Sequence, residues 1–295
     1  MNTATKKVAV WRLGLSVLAA DSFLSAGADA AEVRRVTERV FPFVPGGQVS
    51  IDNKNGRLTV EGWSRPEVRV QITRSARAGD DAKAEELLKQ LKADVEVRRG
   101  RIEIVSQFPK RNESIGLWDI LGRKVASLQI HYYVQVPRET DLNLETSNGE
   151  VRVRGVRGSL QATTTNGDVH VAQAEGRLKL ATTNGEIQLS DVSGTASART
   201  TNGSVVAELR TVAPGGEVEL STTNGNVEVF LPFDIKATLD AQTTNGRVSV
   251  AFPVTMEGAM SSKLVRGTIN GGGSALSFAT TNGNVEVRRL GDRRP

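Results

Sequence analysis

A chain of 295 residues with no Cys excludes a disulfide framework and a thiolate metal site. Aromatic residues at 4% and 29 Gly argue against a large aromatic core and for many short strands and turns. The 38 Lys+Arg and 33 Asp+Glu leave a net charge of +5, mixed in sign along the chain, without the clustered basic face that nucleic-acid binding needs.

Residues 1–30 read as a signal peptide. Lys6, Lys7 and Arg12 are basic, Leu13 to Leu24 is apolar apart from Asp21, and Ala28-Asp29-Ala30 is a small-x-small cleavage pattern. The mature chain is expected to begin at Ala31. No later stretch reaches the ~20 apolar residues of a membrane span.

Residues 31–137 read as an irregular N-terminal β section. Asn55-Gly56 is followed by Leu58 and Val60; Val68, Val70 and Ile72 alternate; Gly100 is followed by Ile102 and Ile104. Between them the spacing predicts a helix over 81–93, because Ala84, Leu87, Leu88 and Leu91 fall at i, i+3, i+4 and i+7. Residues 107–127 read as a loop. Its Trp118, Ile120 and Leu121 are the candidate interaction residues, since exposed apolar loops mark partner or membrane contacts. The bland alternative is that they cover an end of the fold. A strand resumes at 129–137.

From residue 138 to 290 one tetrapeptide organises the chain. Thr-Ser-Asn-Gly ends at Asn148-Gly149. Thr-Thr-Asn-Gly ends at Asn166-Gly167, Asn184-Gly185, Asn202-Gly203, Asn224-Gly225, Asn245-Gly246 and Asn282-Gly283. The first four are 18 residues apart; the next steps are 22 and 21, then 37, close to two units. Gly158, Gly176, Gly194 and Gly216 lie between them. After each Gly, apolar and polar residues alternate, as in Val169-His170-Val171, which marks a strand with one buried face. Each half-repeat thus reads as a strand plus a turn, with Asn and Gly supplying positive φ. Counting by twos from Leu180 puts Thr182 inside, and with it Thr146, Thr164, Thr200, Thr222, Thr243 and Thr280. Residues 291–295 read as a solvated basic tail.

An antiparallel meander and a parallel β-solenoid of two strands per coil both fit this pattern. Only the solenoid gives near-identical turns a packing reason, because equivalent Thr and Asn then stack about 4.8 Å apart in hydrogen-bonded ladders. It is the favoured fold.

At this point the chain resembles a known group. Asp52-Asn53-Lys54-Asn55-Gly56-Arg57-Leu58-Thr59-Val60-Glu61-Gly62-Trp63, the helix near 81–93, Tyr133-Val134-Gln135-Val136-Pro137 and the Asn-Gly series are similar to the bacterial "putative adhesin" family of domains of unknown function. The resemblance covers roughly residues 45–290. It implies export and a β-solenoid; it implies no reaction, and no functional residue carries over.

Several chemistries were weighed against bland readings. Calcium-binding β-rolls need Asp in each turn, where this chain has Asn and Thr. His131 and His170 lack the spacing of a zinc site. Gly271-Gly272-Gly273 precedes no helix and reads as a turn rather than a phosphate cradle. Glu150, Asp168 and Glu186 share one register, so a row of acids about 5 Å apart would suit a glycosidase. The next equivalents are Ser204, Asn226, Arg247 and Asn284, which favours a solvated, exposed face. Outward Thr165, Thr183, Thr201, Thr223 and Thr244 form a hydroxyl row that turn chemistry explains better than ice binding. The expectation is a non-enzymatic exported envelope protein without cofactor or metal, facing an unknown envelope or surface ligand in the periplasm or at the cell surface. A carbohydrate-active enzyme and an envelope-stress regulator acting through a partner are the alternatives.

Overall fold

Period-two apolar residues between Gly-bearing corners leave each strand one face to bury, and the chain buries it by coiling. In the computed structural model, which describes residues 31–109, 127–256 and 261–292, two strand walls face each other across a narrow interior. Residues 1–30 and the segment with Trp118, Ile120 and Leu121, read above as a leader and an interaction loop, lie outside the described residues. The stacking is parallel, as expected of the solenoid: Leu160 pairs with Leu142 and Leu178, and Val169 with Val151 and Ile187.

The interior is filled row by row. Leu58, Val151, Val169, Ile187, Val205, Val227 and Val285 stack in one file, all fully buried. Facing files combine large and small residues. Ala162 lies between Leu144 and Leu180, and Phe278 between Leu220 and Ala241. A slot this narrow takes aliphatic side chains, which is why so few aromatics are needed. Each buried Val or Leu is worth roughly 1.5–3 kcal/mol.

The order of coils departs from chain order at both ends. The coil carrying Ser274–Asn282 and Val285–Arg289 lies between the one at 217–231 and the one at 237–250. The 37-residue step is therefore a return path, not two further coils laid on in sequence. At the other end, Gln48–Asp52 and Leu58–Trp63 pair on one side with Asp141–Asn148 and Val151–Arg154, and on the other with Arg101–Gln107 and Ser127–Pro137. In both places the chain steps outward, lays down an outer coil, and closes with antiparallel strands. An open parallel edge would expose unpaired backbone groups. Antiparallel Glu67–Ala78 and Ala31–Pro42 extend one wall, Lys92–Arg98 covers the other, and Leu264–Ile269 covers Ala237–Asn245 at the far end.

The predicted helix occupies Asp81–Gln90, with Asp80 as N-cap accepting from Lys83 N at 2.8 Å. It ends earlier than expected because Leu91 turns extended to begin the strand at Lys92. Ala84, Leu87, Leu88 and Leu91 are all buried, so the predicted stripe plugs the open end of the core.

Two turn expectations need correction. The Asn residues of the Asn-Gly corners do not have positive φ; among described non-Gly residues only Gln173, Asp191 and Asn270 do. The second corner of the coil is also displaced. It falls at Gly155, Gln173 and Asp191, spaced by 18 residues, whereas Gly158, Gly176 and Gly194 lie inside strands.

The coil order gives a direct prediction. Thr222 pairs with Thr280, not with Thr243. A Thr222→Cys/Thr280→Cys pair should oxidise to a disulfide, since Cα atoms within about 7 Å permit one. The Thr222→Cys/Thr243→Cys pair should stay reduced; the opposite outcome on non-reducing gels would restore sequential stacking.

Candidate functional site

The Asn-Gly corners form one continuous ridge. Asn166 Nδ2 donates to Asn148 Oδ1 at 2.8 Å, Asn184 to Asn166 at 2.9 Å, and Asn202 to Asn184 at 2.8 Å. The ladder continues through Asn224, Asn282 and Asn245, in spatial rather than chain order. This explains the choice of Asn: it is both donor and acceptor, so each side chain satisfies the next. At the near end Asn55 Nδ2 donates to the backbone, to Leu128 O at 2.7 Å.

The buried Thr residues do not bond to each other, as a simple Thr ladder would require. Except for Thr146, whose Oγ1 is buried without a partner, each Oγ1 donates to the carbonyl of the corner Gly in the adjoining coil: Thr164 to Gly149, Thr182 to Gly167, Thr200 to Gly185, Thr222 to Gly203, at 2.8–3.1 Å. Thr243 and Thr280 do the same with Gly283 and Gly225. A buried hydroxyl is thus satisfied and a corner carbonyl capped by one bond. Gly is needed because coils approach so closely here.

The acidic register is built into the same scaffold. Asp168 Oδ1 accepts from Glu186 N at 2.8 Å, and Asn284 Oδ1, Asn226 Oδ1 and Ser204 Oγ act likewise on neighbouring coils. Glu150 is not the solvated acid expected from sequence. Its side chain is only 17% exposed and is held by Arg57 at 3.1 Å, by Arg152 and by His170 at 3.3 Å. His170 also meets Gln188 Oε1 at 3.0 Å. His131 Nδ1 accepts from Arg57 N at 2.9 Å; burial, then Arg57 and Arg34, push its pKa below the ordinary 6.5. Tyr133 donates to Glu61, and that bond raises its pKa to about 12. Among the described residues no group of three or more acids or histidines is disposed to hold a metal ion.

Outward from the ridge, Thr165, Thr183, Thr201, Thr223 and Thr244 are exposed, one per coil. Beside four of these coils lies a shallow trough of about 440 Å³. Arg199, Glu219, Ser221 and Gln242 line it together with Thr201, Thr223, Thr244 and Thr281, and Ala279 lies among them. Arg199 bonds Glu219 at 2.8 Å and Ser221 at 3.2 Å. The trough is therefore polar and close to neutral, with hydroxyl and amide groups at strand spacing. Sequence reasoning found the Thr row but not the trough, which depends on the coil at 274–287 being inserted between the others. Trp118, Ile120 and Leu121 lie outside the described residues, so the site stands on the ridge alone.

The family model described as Toastrack DUF4097 matches residues 138–288. No curated protein matches the chain. Among solved structures, a putative cell adhesion protein from Clostridium sporogenes is 12% identical, covering 86% of this chain and 100% of its own, with a TM-score of 0.35. A putative adhesin from Bacteroides fragilis is 10% identical over 86% of this chain and 97% of its own, with a TM-score of 0.36. A putative lipid binding protein from Parabacteroides distasonis is 10% identical over 86% of this chain and 96% of its own, with a TM-score of 0.26.

Proposed function

This chain belongs to the Toastrack DUF4097 family, and from that premise we propose that it is an exported, non-enzymatic cell-envelope protein that holds a polar surface ligand along its Asn-Gly ridge. The observation that carries this reading is the unbroken Asn ladder, whose outer flank presents Thr hydroxyls one strand apart beside a polar trough. Backbone and side-chain bonds fix every corner, so little ordering entropy is lost when a ligand lies on it. Two of the three acids that would serve a glycosidase are committed elsewhere, Asp168 to a backbone N–H and Glu150 to Arg57, Arg152 and His170, which leaves exposed Glu186 without a second acid to pair with. That favours binding over hydrolysis.

Export is supported by the leader pattern, with its basic Lys6, Lys7 and Arg12 and its Ala28-Asp29-Ala30 cleavage motif. Among the described residues no helix is long and apolar enough to cross a membrane. Mass spectrometry of protein from cells should find an N-terminus at or next to Ala31; an intact Met1 on cytoplasmic protein would overturn export.

Binding has its own test. Purified protein should pellet with isolated cell-wall glycan, and Thr201→Ala/Thr223→Ala/Gln242→Ala should pellet several-fold less while melting within a few degrees of the parent. These side chains are exposed, and exposed substitutions typically stay within about ±0.5 kcal/mol. Equal pelleting of parent and variant would remove the trough from the reading. Release of sugars from the glycan would remove the non-enzymatic part.

A further inference from the structure

We infer that the N-terminal end of the solenoid carries an oxyanion site, built by Arg35, Arg39 and Arg74 and suited to a phosphate-type group. Antiparallel pairing of Ala31–Pro42 with Glu67–Ala78 sets Arg35 directly opposite Arg74, with Thr37 opposite Ile72 and Arg39 opposite Val70. Alternation puts Arg35, Thr37 and Arg39 on the same side of the sheet as buried Ile72 and Val70, the side that faces the interior. Val33 and Phe41, at the two ends of that row, pack against the core. The row is thus apolar at its ends and cationic in its middle, where a solenoid end would otherwise be apolar.

Like charges directly opposite one another in an antiparallel pair destabilise it. Among the described residues no carboxylate pairs with them. Glu32 and Glu38 alternate to the other side of the strand, and Glu38 meets Arg69 there at 3.6 Å. Among the described residues none of Arg35, Arg39 and Arg74 makes an ion pair. Arg74 is anchored by Nη1 donating to Leu91 O at 3.2 Å, at the end of the helix, and its Nε is buried without a partner. Burial first, then Arg35 and Arg39, hold its pKa below the ordinary value. Arg35 and Arg39 are themselves exposed. One anchored guanidinium and two exposed ones, with an unsatisfied donor and no paired carboxylate, match the planar multi-donor geometry that recognises phosphate oxygens. A bound oxyanion would relieve the repulsion that the fold otherwise carries. The site is far from the Asn-Gly ridge in sequence and does not depend on what the ridge binds.

The test uses the mature chain and three proteins. The parent should bind inorganic phosphate by calorimetry and melt higher in phosphate than in chloride of equal ionic strength. Arg35→Gln/Arg39→Gln should weaken that binding by about tenfold or more, as expected for loss of charge-assisted bonds. It should melt no lower than the parent in chloride, since two like charges are gone. Arg34→Gln/Arg77→Gln removes the same charge from the opposite side of the same two strands and should keep the parent's phosphate affinity. Vesicles of phosphatidylcholine with and without phosphatidylglycerol separate the sources. Sedimentation with the anionic vesicles, competed by phosphate and lost in Arg35→Gln/Arg39→Gln, identifies a lipid headgroup; phosphate binding without sedimentation identifies a free phosphate compound. No phosphate binding by the parent, or equal loss in both variants, would overturn the site.

Discussion

Val169→Asp is expected to unfold the protein or shift its denaturation midpoint by the equivalent of more than about 4 kcal/mol. Val169 is fully buried between Val151 and Ile187 in an unbroken apolar file of the interior. A carboxylate there would have no partner and would sit against aliphatic groups on three sides. Asp168→Val, one residue away, is expected to cost only about 1 kcal/mol. Asp168 is exposed, and the substitution removes a single acceptor, the one that receives Glu186 N. Chemical denaturation followed by circular dichroism reads both. Similar shifts for the two variants would mean that the register of the wall is misplaced.

That contrast was legible in the sequence because the period of two is strict in the strand that follows each Asn-Gly corner, so each inward residue there follows from its neighbours. The inward Thr residues followed from the same count, and the helix stripe from its own spacing of three and four. The chemistry that uses them was less visible. A Thr at a buried position declares that it needs a partner, but the partner is a glycine carbonyl 15 to 55 residues away, which no local pattern names. The stacking order at the two ends was not legible for a related reason. The coils from 146 to 283 share the same Thr-x-Asn-Gly corner and the N-terminal one keeps its Asn-Gly, so one corner fits another and the connecting segments decide which ones meet. Glu150 was misread as solvated because two of its three partners, Arg57 and His170, come from other coils, with Arg57 arriving from the reordered N-terminal one. The arginine cluster was hidden in the same way: Arg35 and Arg74 look like ordinary surface charges until antiparallel pairing puts them opposite each other.

Gly203→Ala tests whether the corners, and not only the core, hold the coils together. Gly203 has φ +147°, and a Cβ there would stand 2.0 Å from Gly185 O and 2.6 Å from Gly185 C. Both obstacles are backbone of the adjoining coil, so no side chain is free to move aside. The coils must separate locally. That separation strains the bond from Gly185 N to Asn202 O at 2.9 Å, the bond from Thr200 Oγ1 to Gly185 O at 3.0 Å, and the Asn202 to Asn184 rung beside them. Overpacking costs about 1–3 kcal/mol, and each lost hydrogen bond adds about 1 kcal/mol, so a total near 4 kcal/mol is expected. Gly215→Ala is the matched control. Gly215 has φ +68° with nothing within 4 Å of an added Cβ, so it carries only the left-handed penalty of about 1–2 kcal/mol. In a solenoid each coil contacts only its neighbours. Hydrogen exchange should therefore show lost protection on both sides of the 185–203 seam in Gly203→Ala, while Leu142, Leu144, Val151 and Val153 stay protected. Equal melting temperatures for the two variants would show that the corners tolerate an extra methyl, and that glycine recurs there for a reason other than the close approach of the coils.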